Sequence, residues 1–214
     1  MTWAWYLGEL ADHLARAMTE LEAGLRLEQA PHGLDAWDER ALQQALAAAL
    51  ARDHEVAREV HYPSTAGKKL SHRARCDLVL SPAGEPLSRG EPLPGLCAPD
   101  RALWLELKVA RQRRPGGARD GRYGAQWRHN LVADLRKMAD EARIHDAALV
   151  LVVFTEDEST LTRDLDGFEA VLVQHDVVAG FRQVRTVAIS DRLGHRTCGV
   201  ALWPTVQRAA PPAP

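Results

Sequence analysis

The sequence has few cysteines and no long apolar run. Its 214 residues include three cysteines, Cys76, Cys97 and Cys198, which lie far apart and form no Cys-x-x-Cys pair. This spacing predicts neither a disulfide framework nor a structural zinc site. No apolar run approaches the roughly 20 residues needed to cross a bilayer, and Glu9 and Asp12 interrupt the start where a signal peptide would be apolar. We therefore predict a cytoplasmic protein that does not bind membranes.

Charge is nearly balanced over the whole chain but not along it. The formal net charge is -2, yet residues 58–75 contain 5 basic and 1 acidic residue, and residues 101–143 contain 11 basic and 5 acidic residues. A balanced total argues against a general nucleic-acid coat protein. The two basic stretches would still form one positive surface if the fold brings them together. Ordinary solvated arginines on helices and loops are the alternative interpretation.

Apolar periodicity predicts an α/β fold, in which helices and strands are interspersed along the chain. Residues 81–100 contain five prolines and three glycines, which indicates an extended loop. In chain order, the predicted elements are helices at 3–25 and about 38–52, strands at 56–62, 75–80 and 102–110, a helix at about 124–144, a strand at 147–154, an ambiguous segment at 161–179 and strands at 184–189 and 198–203.

The length favours one domain. We expect it to cover residues 1–208, with a core at about 36–154 and an appended N-terminal helix within residues 1–30. Residues 209–214 are rich in proline and alanine and are predicted to be a disordered tail.

Three charged residues lie inside otherwise apolar predicted strands. Asp77 follows Arg75-Cys76, and Glu106 and Lys108 alternate with leucines in the third strand. Period-two geometry puts Glu106 and Lys108 on one face, and an adjacent antiparallel strand can put Asp77 beside them. Buried carboxylates without a partner are costly, so we expect Asp77 and Glu106 to share a cation or face a cleft. Two close carboxylates form a hard oxygen site suited to Mg²⁺ or Mn²⁺.

The Asp77 and Glu106-Leu107-Lys108 motif, within the order helix, three strands, helix, strand, resembles the PD-(D/E)XK nuclease superfamily over about residues 36–154. The resemblance implies a restriction-endonuclease-like αβββαβ core, in which a central mixed sheet is flanked by helices, with an extra N-terminal helix and C-terminal strands. It also implies hydrolysis of phosphodiesters, with Asp77 and Glu106 as metal ligands and Lys108 orienting or activating water. Two features depart from the family pattern: Cys76 stands where a proline often precedes the Asp, and the loop between the motif halves is long.

Further site residues follow from the same resemblance. Many relatives add an acid from the helix before the strands, and Glu39 is the candidate here, with Glu59 of the first strand as a competitor. Gln126, Asn130 and Lys137 of the following helix resemble polar residues that approach the site or the phosphate backbone in similar nucleases. For each, an exposed surface position is the alternative.

Basic residues on both sides of the motif are candidates for phosphate contacts. They are Lys68, Lys69, Arg73, Arg75, Arg111, Arg113, Arg114, Arg119 and Arg122. Such residues follow a phosphate backbone without reading bases. No helix-turn-helix or zinc finger is recognisable, so sequence specificity would come from the long loop, a homodimer or a partner subunit.

The sequence thus predicts a metal-dependent deoxyribonuclease, most plainly an endonuclease acting in defence, restriction or repair, with RNA left open as a substrate. Two alternatives remain. One is a non-catalytic module of the same fold that binds nucleic acid or a protein. The other is an assembly subunit that uses the amphipathic N-terminal helix bearing Trp3 and Trp5.

Overall fold

The structure is a computed structural model, which describes residues 5–65, 69, 74–88, 93–114, 117–124 and 129–206. Within these ranges the helices are α1 (Leu7–Leu27), α2 (Glu39–Leu50), α3 (Asn130–Ala139) and α4 (Glu158–Gln174). The strands are β1 (His54–His61), β2 (Arg75–Pro82), β3 (Leu103–Arg111), β4 (Asp146–Thr155), β5 (Gln183–Ala188) and β6 (Thr197–Pro204).

The six strands form one mixed sheet in the order β1-β2-β3-β4-β6-β5. Strand β3 runs parallel to β4, while the other neighbouring pairs are antiparallel. The β3–β4 connection passes through α3, as parallel neighbours require a crossover. The α/β class and the central mixed sheet flanked by helices are therefore as predicted.

Helices cover both faces of the sheet, so the two halves of the core lie on opposite sides of it. Leu14 of α1 and Leu46 of α2 belong to one buried cluster, with Leu105 of β3. Leu135 of α3 and Phe168 of α4 belong to the other, with Trp104 of β3. The predicted alternation of β3 is thus confirmed, and its even-numbered residues face the α3 side.

Side-chain caps fix the start of two helices. Asp38 accepts a hydrogen bond from the backbone nitrogen of Ala41 at 2.7 Å and is therefore the N-cap of α2. Asp157 accepts from Thr160 in the same way at the start of α4. The segment 161–179, ambiguous from its sequence, is therefore largely helical.

One predicted boundary is wrong. The helix expected to run to residue 144 ends at Ala139. Beyond it, the buried Glu141 carboxylate accepts hydrogen bonds from the backbone nitrogens of Ser64 and Arg143, which fixes a turn there instead of another helical turn.

The described residues between β2 and β3 form a loop, as predicted for 81–100, and include no helix. An isolated β-bridge between Leu87 and Cys97 joins its two halves. The predicted tail at 209–214 lies outside the described residues. Among those that are described, no helix is long and apolar enough to span a membrane.

Candidate active site

The site begins where two central strands separate. Within the described residues, β2 pairs with β3 only from Leu78 to Leu80, opposite Leu103 to Leu105. Asp77 and Glu106 are the next residues on each strand, at the point where the ladder opens. An opening there leaves backbone groups of β3 without strand partners, and these need other hydrogen bonds.

Carboxylates take up the backbone donors that the opening releases. The Asp77 Oδ2 atom accepts a hydrogen bond from the Leu107 nitrogen at 2.7 Å. The Glu39 Oε2 atom accepts one from the Val109 nitrogen at 3.3 Å. Residues from α2 and β2 are thereby fixed against β3 by its own backbone.

A local irregularity in β1 and β2 turns side chains toward the opening. Cys76 packs in the cluster on the α3 side while Leu78 packs in the cluster on the α2 side, although regular alternation would put both on one face. The β1–β2 pairing runs from Arg58–Leu78 to Val60–Cys76 without pairing Glu59 and Asp77, and the φ of Glu59, 53°, is uncommon for a residue with a side chain. Strand irregularities of this kind re-aim side chains beside active sites.

Four carboxylates surround one lysine. The Lys108 Nζ atom lies 3.5 Å from Asp77 Oδ2, 3.6 Å from Glu106 Oε2, 3.5 Å from Asp134 Oδ2 and 4.0 Å from Glu39 Oε1. We call these five residues the Lys108 cluster. Burial alone would lower the pKa of the Lys108 amine, but the surrounding carboxylates, Asp77 foremost, raise it instead, so the amine is charged at neutral pH.

Hydrogen bonds to one of its two carboxylate oxygens fix the Glu106 side chain. Its side chain is buried, and its Oε1 atom accepts hydrogen bonds from the Tyr62 hydroxyl at 2.7 Å and from Lys137 Nζ at 2.6 Å. Tyr62 stacks on Trp104, and Lys137 also contacts Asp134 at 2.8 Å. Only the Oε2 atom of Glu106 therefore faces Lys108.

The protonation of Glu106 reflects this environment. Burial raises the pKa of its carboxyl from 4.5 to about 7, and the charge of Asp77 adds to the effect, while Lys137 and Tyr62 oppose it. The pKa of Glu39 is likewise raised, first by burial. Burial is the first cause of both shifts, and the charge of Asp77 adds to each.

A cleft of about 450 Å³ gives access to the cluster from the β1 side. Asp77 and Glu39 line it, whereas Glu106 lies deeper, only 2% exposed. The other side chains that line it are those of Arg40, Gln43, Arg58, Glu59, Arg75 and Leu107.

The structure brings Asp77, Glu106, Lys108 and Glu39 together, as predicted. Of the two competing fourth acids, Glu39 reaches Lys108, while Glu59 lies across the cleft, where Gln43 donates to it at 3.4 Å. Lys137 also belongs to the site, where its amine contacts the carboxylates of Glu106 and Asp134.

The predicted phosphate contacts are more scattered. Arg111, the last residue of β3, donates to the backbone oxygens of Asp35 and Trp37. Arg113 and Arg114 pair with Glu156 and Asp120.

The other basic candidates divide into three groups. Arg75 lines the cleft, and Lys69 is exposed. Arg119 lines a separate, smaller pocket, and Arg122 is exposed near it. The candidates Lys68, Arg73 and Gln126 lie outside the described residues.

Sequence reasoning missed Tyr62, Gln43 and Asp134 as members of the site. Gln43 is buried on α2 and donates to the Asp77 backbone oxygen at 3.0 Å. Asp134 precedes Lys137 by three residues, a spacing that puts both on one helix face, and this was the available signal. For Tyr62 and Gln43 no pattern pointed to the site.

The donor set fits a hard divalent cation. Asp77 and Glu106 each direct one oxygen toward the same point, and four carboxylates facing two ammonium groups leave an excess of two negative charges when all four carboxyls are ionised. Among the described residues, no group of three or more acidic, His or Cys side chains is already arranged as a metal site. The reason is visible, since the Lys108 amine occupies the point that the carboxylates share.

Comparisons of the chain with protein-family models, curated proteins and solved structures found no significant match.

Proposed function

We propose that this protein is a metal-dependent nuclease that hydrolyses phosphodiester bonds, with DNA as the substrate we favour. The observation that carries the proposal is the convergence of Asp77, Glu106 and Lys108 at the opening between β2 and β3. These are the residues on which the sequence resemblance to PD-(D/E)XK nucleases depends.

Asp77 and Glu106 would hold Mg²⁺ or Mn²⁺ through the oxygens that now face Lys108. When bound, the ion supplies positive charge at the phosphate and makes water a better nucleophile at neutral pH. Its charge also offsets the excess of two negative charges in the cluster, which supports binding of a single divalent ion.

Lys108 supplies a positive charge beside the reacting phosphate. Its amine is held by the surrounding carboxylates and by the Leu107 backbone oxygen at 3.0 Å. In the active form the amine would move from the centre of the carboxylates toward the phosphate or the attacking water, where its charge would stabilise the transition state.

Tyr62 and Lys137 position Glu106. By occupying Oε1, they leave Oε2 as the ligand atom and oppose protonation of the carboxyl. Glu39, which bonds to the backbone of β3, holds negative charge near Lys108 from the α2 side.

The direct test is cleavage of plasmid and of single-stranded DNA with and without Mg²⁺ or Mn²⁺. Cleavage should require the ion and should be lost in Glu106→Ala and Lys108→Ala. Exposed Arg26 of α1 offers a control, since Arg26→Ala should cleave like the parent chain. Equal cleavage by all variants would remove the mechanism.

One observation favours a second candidate, a non-catalytic module of the same fold. The Lys108 amine already occupies the point that the carboxylates share, and Glu106 is deeply buried. A chain that binds DNA but neither takes up a divalent ion nor cleaves would support this alternative.

A further inference from the structure

The cleft beside the Lys108 cluster has a cationic wall that the proposed chemistry does not use. Arg40 on α2, Arg58 on β1 and Arg75 on β2 all line it. All three are exposed, and they come from three separate elements. Their convergence on one concave space is therefore a product of the fold and not of a basic run in the sequence.

These arginines are not consumed by nearby acids. Among the described residues none of the three forms an ion pair with an acidic side chain, because the cleft acids Glu39 and Asp77 pair with Lys108 instead. Arg58 donates to the Gln43 side chain at 3.4 Å, and Gln43 in turn donates to the Asp77 backbone. Arg58 is thus held over the cleft with most of its donors available.

The β1–β2 register sets the distance between two of the three arginines along the direction of the strands. Arg58 lies opposite Leu78, and Arg75 lies opposite His61, three residues further along the ladder. At about 3.3 Å per residue, this separates their backbones by roughly 10 Å along the strands. Asp77 lies between them on β2, so a chain that follows this line passes the cluster.

We propose that Arg40, Arg58 and Arg75 bind successive phosphates of a single nucleic-acid strand and lead it across β1 and β2 to the Lys108 cluster. This inference rests on the proposed function and adds the path of the substrate. Guanidinium groups are suited to phosphate because they donate two parallel hydrogen bonds.

Recognition along this path would not depend on base sequence. No aromatic side chain is among the described residues that line the cleft, so bases have no stacking surface there. Contacts to phosphates alone fix the register of a strand but carry no sequence information. Binding should therefore be weakly selective for sequence and strongly dependent on salt.

The cleft charges also couple this path to the metal. Three arginines face three carboxylates, Glu39, Glu59 and Asp77, so the cleft itself is close to neutral. A divalent ion held by Asp77 would make it net positive. A strand should bind more tightly with the ion than without it.

The test is fluorescence anisotropy of a labelled 20-nucleotide single strand with the full chain in EDTA, where no cleavage occurs, at several salt concentrations. Arg58→Ala/Arg75→Ala should weaken binding about tenfold or more at low salt and reduce the salt slope by about 1.4, or 0.7 for each lost phosphate contact. Arg58→Lys/Arg75→Lys should restore most of the slope. Arg16→Ala/Arg26→Ala removes two exposed arginines of α1 and should change neither quantity beyond a small uniform loss.

The outcomes separate this inference from the proposed function. Unchanged binding in Arg58→Ala/Arg75→Ala, an equal loss in the α1 control, or no binding by the parent chain would overturn the path while leaving metal-dependent cleavage to its own assay. If Arg58→Ala/Arg75→Ala weakens binding but the parent chain cleaves no DNA with Mg²⁺ or Mn²⁺, the path is supported and the nuclease activity is rejected.

Discussion

Buried carboxylates lie beside an ionisable nitrogen both in the Lys108 cluster and at Asp35, and these two places differ in their access to solvent. Asp35 and His195 are both 0% exposed, with Asp35 Oδ2 and His195 Nδ1 2.9 Å apart. His195 Nε2 accepts from the Arg113 backbone nitrogen at 3.1 Å, so each ring nitrogen has a protein partner. We call this the Asp35–His195 pair. It links the turn before α2 to the segments that follow β3 and precede β6.

The Lys108 cluster has the opposite character. Its acids outnumber its amines, and a cleft reaches two of them. A sealed one-to-one pair can only hold segments together, because nothing reaches it. The difference teaches that burial of charge is not by itself a sign of function, whereas an excess of one sign beside an open cleft leaves room for a ligand.

The largest expected effect is on catalysis. Asp77→Asn should lower metal-dependent cleavage by about 1,000-fold or more, because a ligand and its charge are lost at the transition state. Asp35→Asn, which removes the same charge from the Asp35–His195 pair, should change cleavage per folded molecule by about twofold at most. Initial rates on plasmid DNA, normalised to the folded fraction, measure both. Comparable losses in the two variants would erase the distinction.

The free energy of unfolding should depend more on the Asp35–His195 pair than cleavage does. His195→Ala should reduce the free energy of unfolding by about 3 to 5 kcal/mol, since it leaves the Asp35 carboxylate buried without a partner. The Asp35 Oδ1 atom already has no hydrogen-bond partner among the described residues, so little can compensate. Urea denaturation followed by tryptophan fluorescence measures the change. A loss below about 1 kcal/mol, within the range of a surface pair, would show that the pair does not hold the segments.

The sheet and the motif were within reach of sequence reasoning, because alternation in β3 fixes which face carries Glu106 and Lys108. The separation of β2 from β3 was not, since carboxylates there replace ladder hydrogen bonds and no sequence pattern marks such a replacement. A count of basic residues also could not tell Arg75, which lines the cleft, from Arg111, which binds backbone oxygens.

The pH dependence of stability sharpens the comparison further. Because the folded pKa of Glu106, about 7, exceeds its ordinary value of 4.5, the folded state retains a proton that the unfolded state releases. Its contribution to stability is full below pH 4.5 and is lost as pH rises through 7. Glu106→Gln lacks this loss, so its stability relative to the parent chain should increase by about 2 to 3 kcal/mol from pH 5 to pH 8 in EDTA.

Urea denaturation of both chains at the two pH values checks this sign. A relative stability of Glu106→Gln that stays constant or falls with pH would contradict the raised pKa of Glu106. The conservative substitution keeps a side chain of the same shape beside Tyr62, which limits changes in packing.

The smallest effect is expected outside both places. Arg114 pairs with Asp120 on an exposed loop, at 3.0 Å. Arg114→Ala should change the free energy of unfolding by less than about 1 kcal/mol and cleavage by less than about twofold, because exposed ion pairs contribute little. The same two assays measure it. A large loss of cleavage would mean that the loop after β3 binds the substrate after all.

The central claim is that Asp77 and Glu106 together bind a divalent ion. Its most direct test is Mn²⁺ binding to the purified full chain at pH 8, measured by isothermal titration calorimetry. One site per chain is predicted, lost in both Asp77→Asn and Glu106→Gln and retained in Asp35→Asn. No binding by the parent chain, or binding that survives both substitutions in the Lys108 cluster, would contradict it.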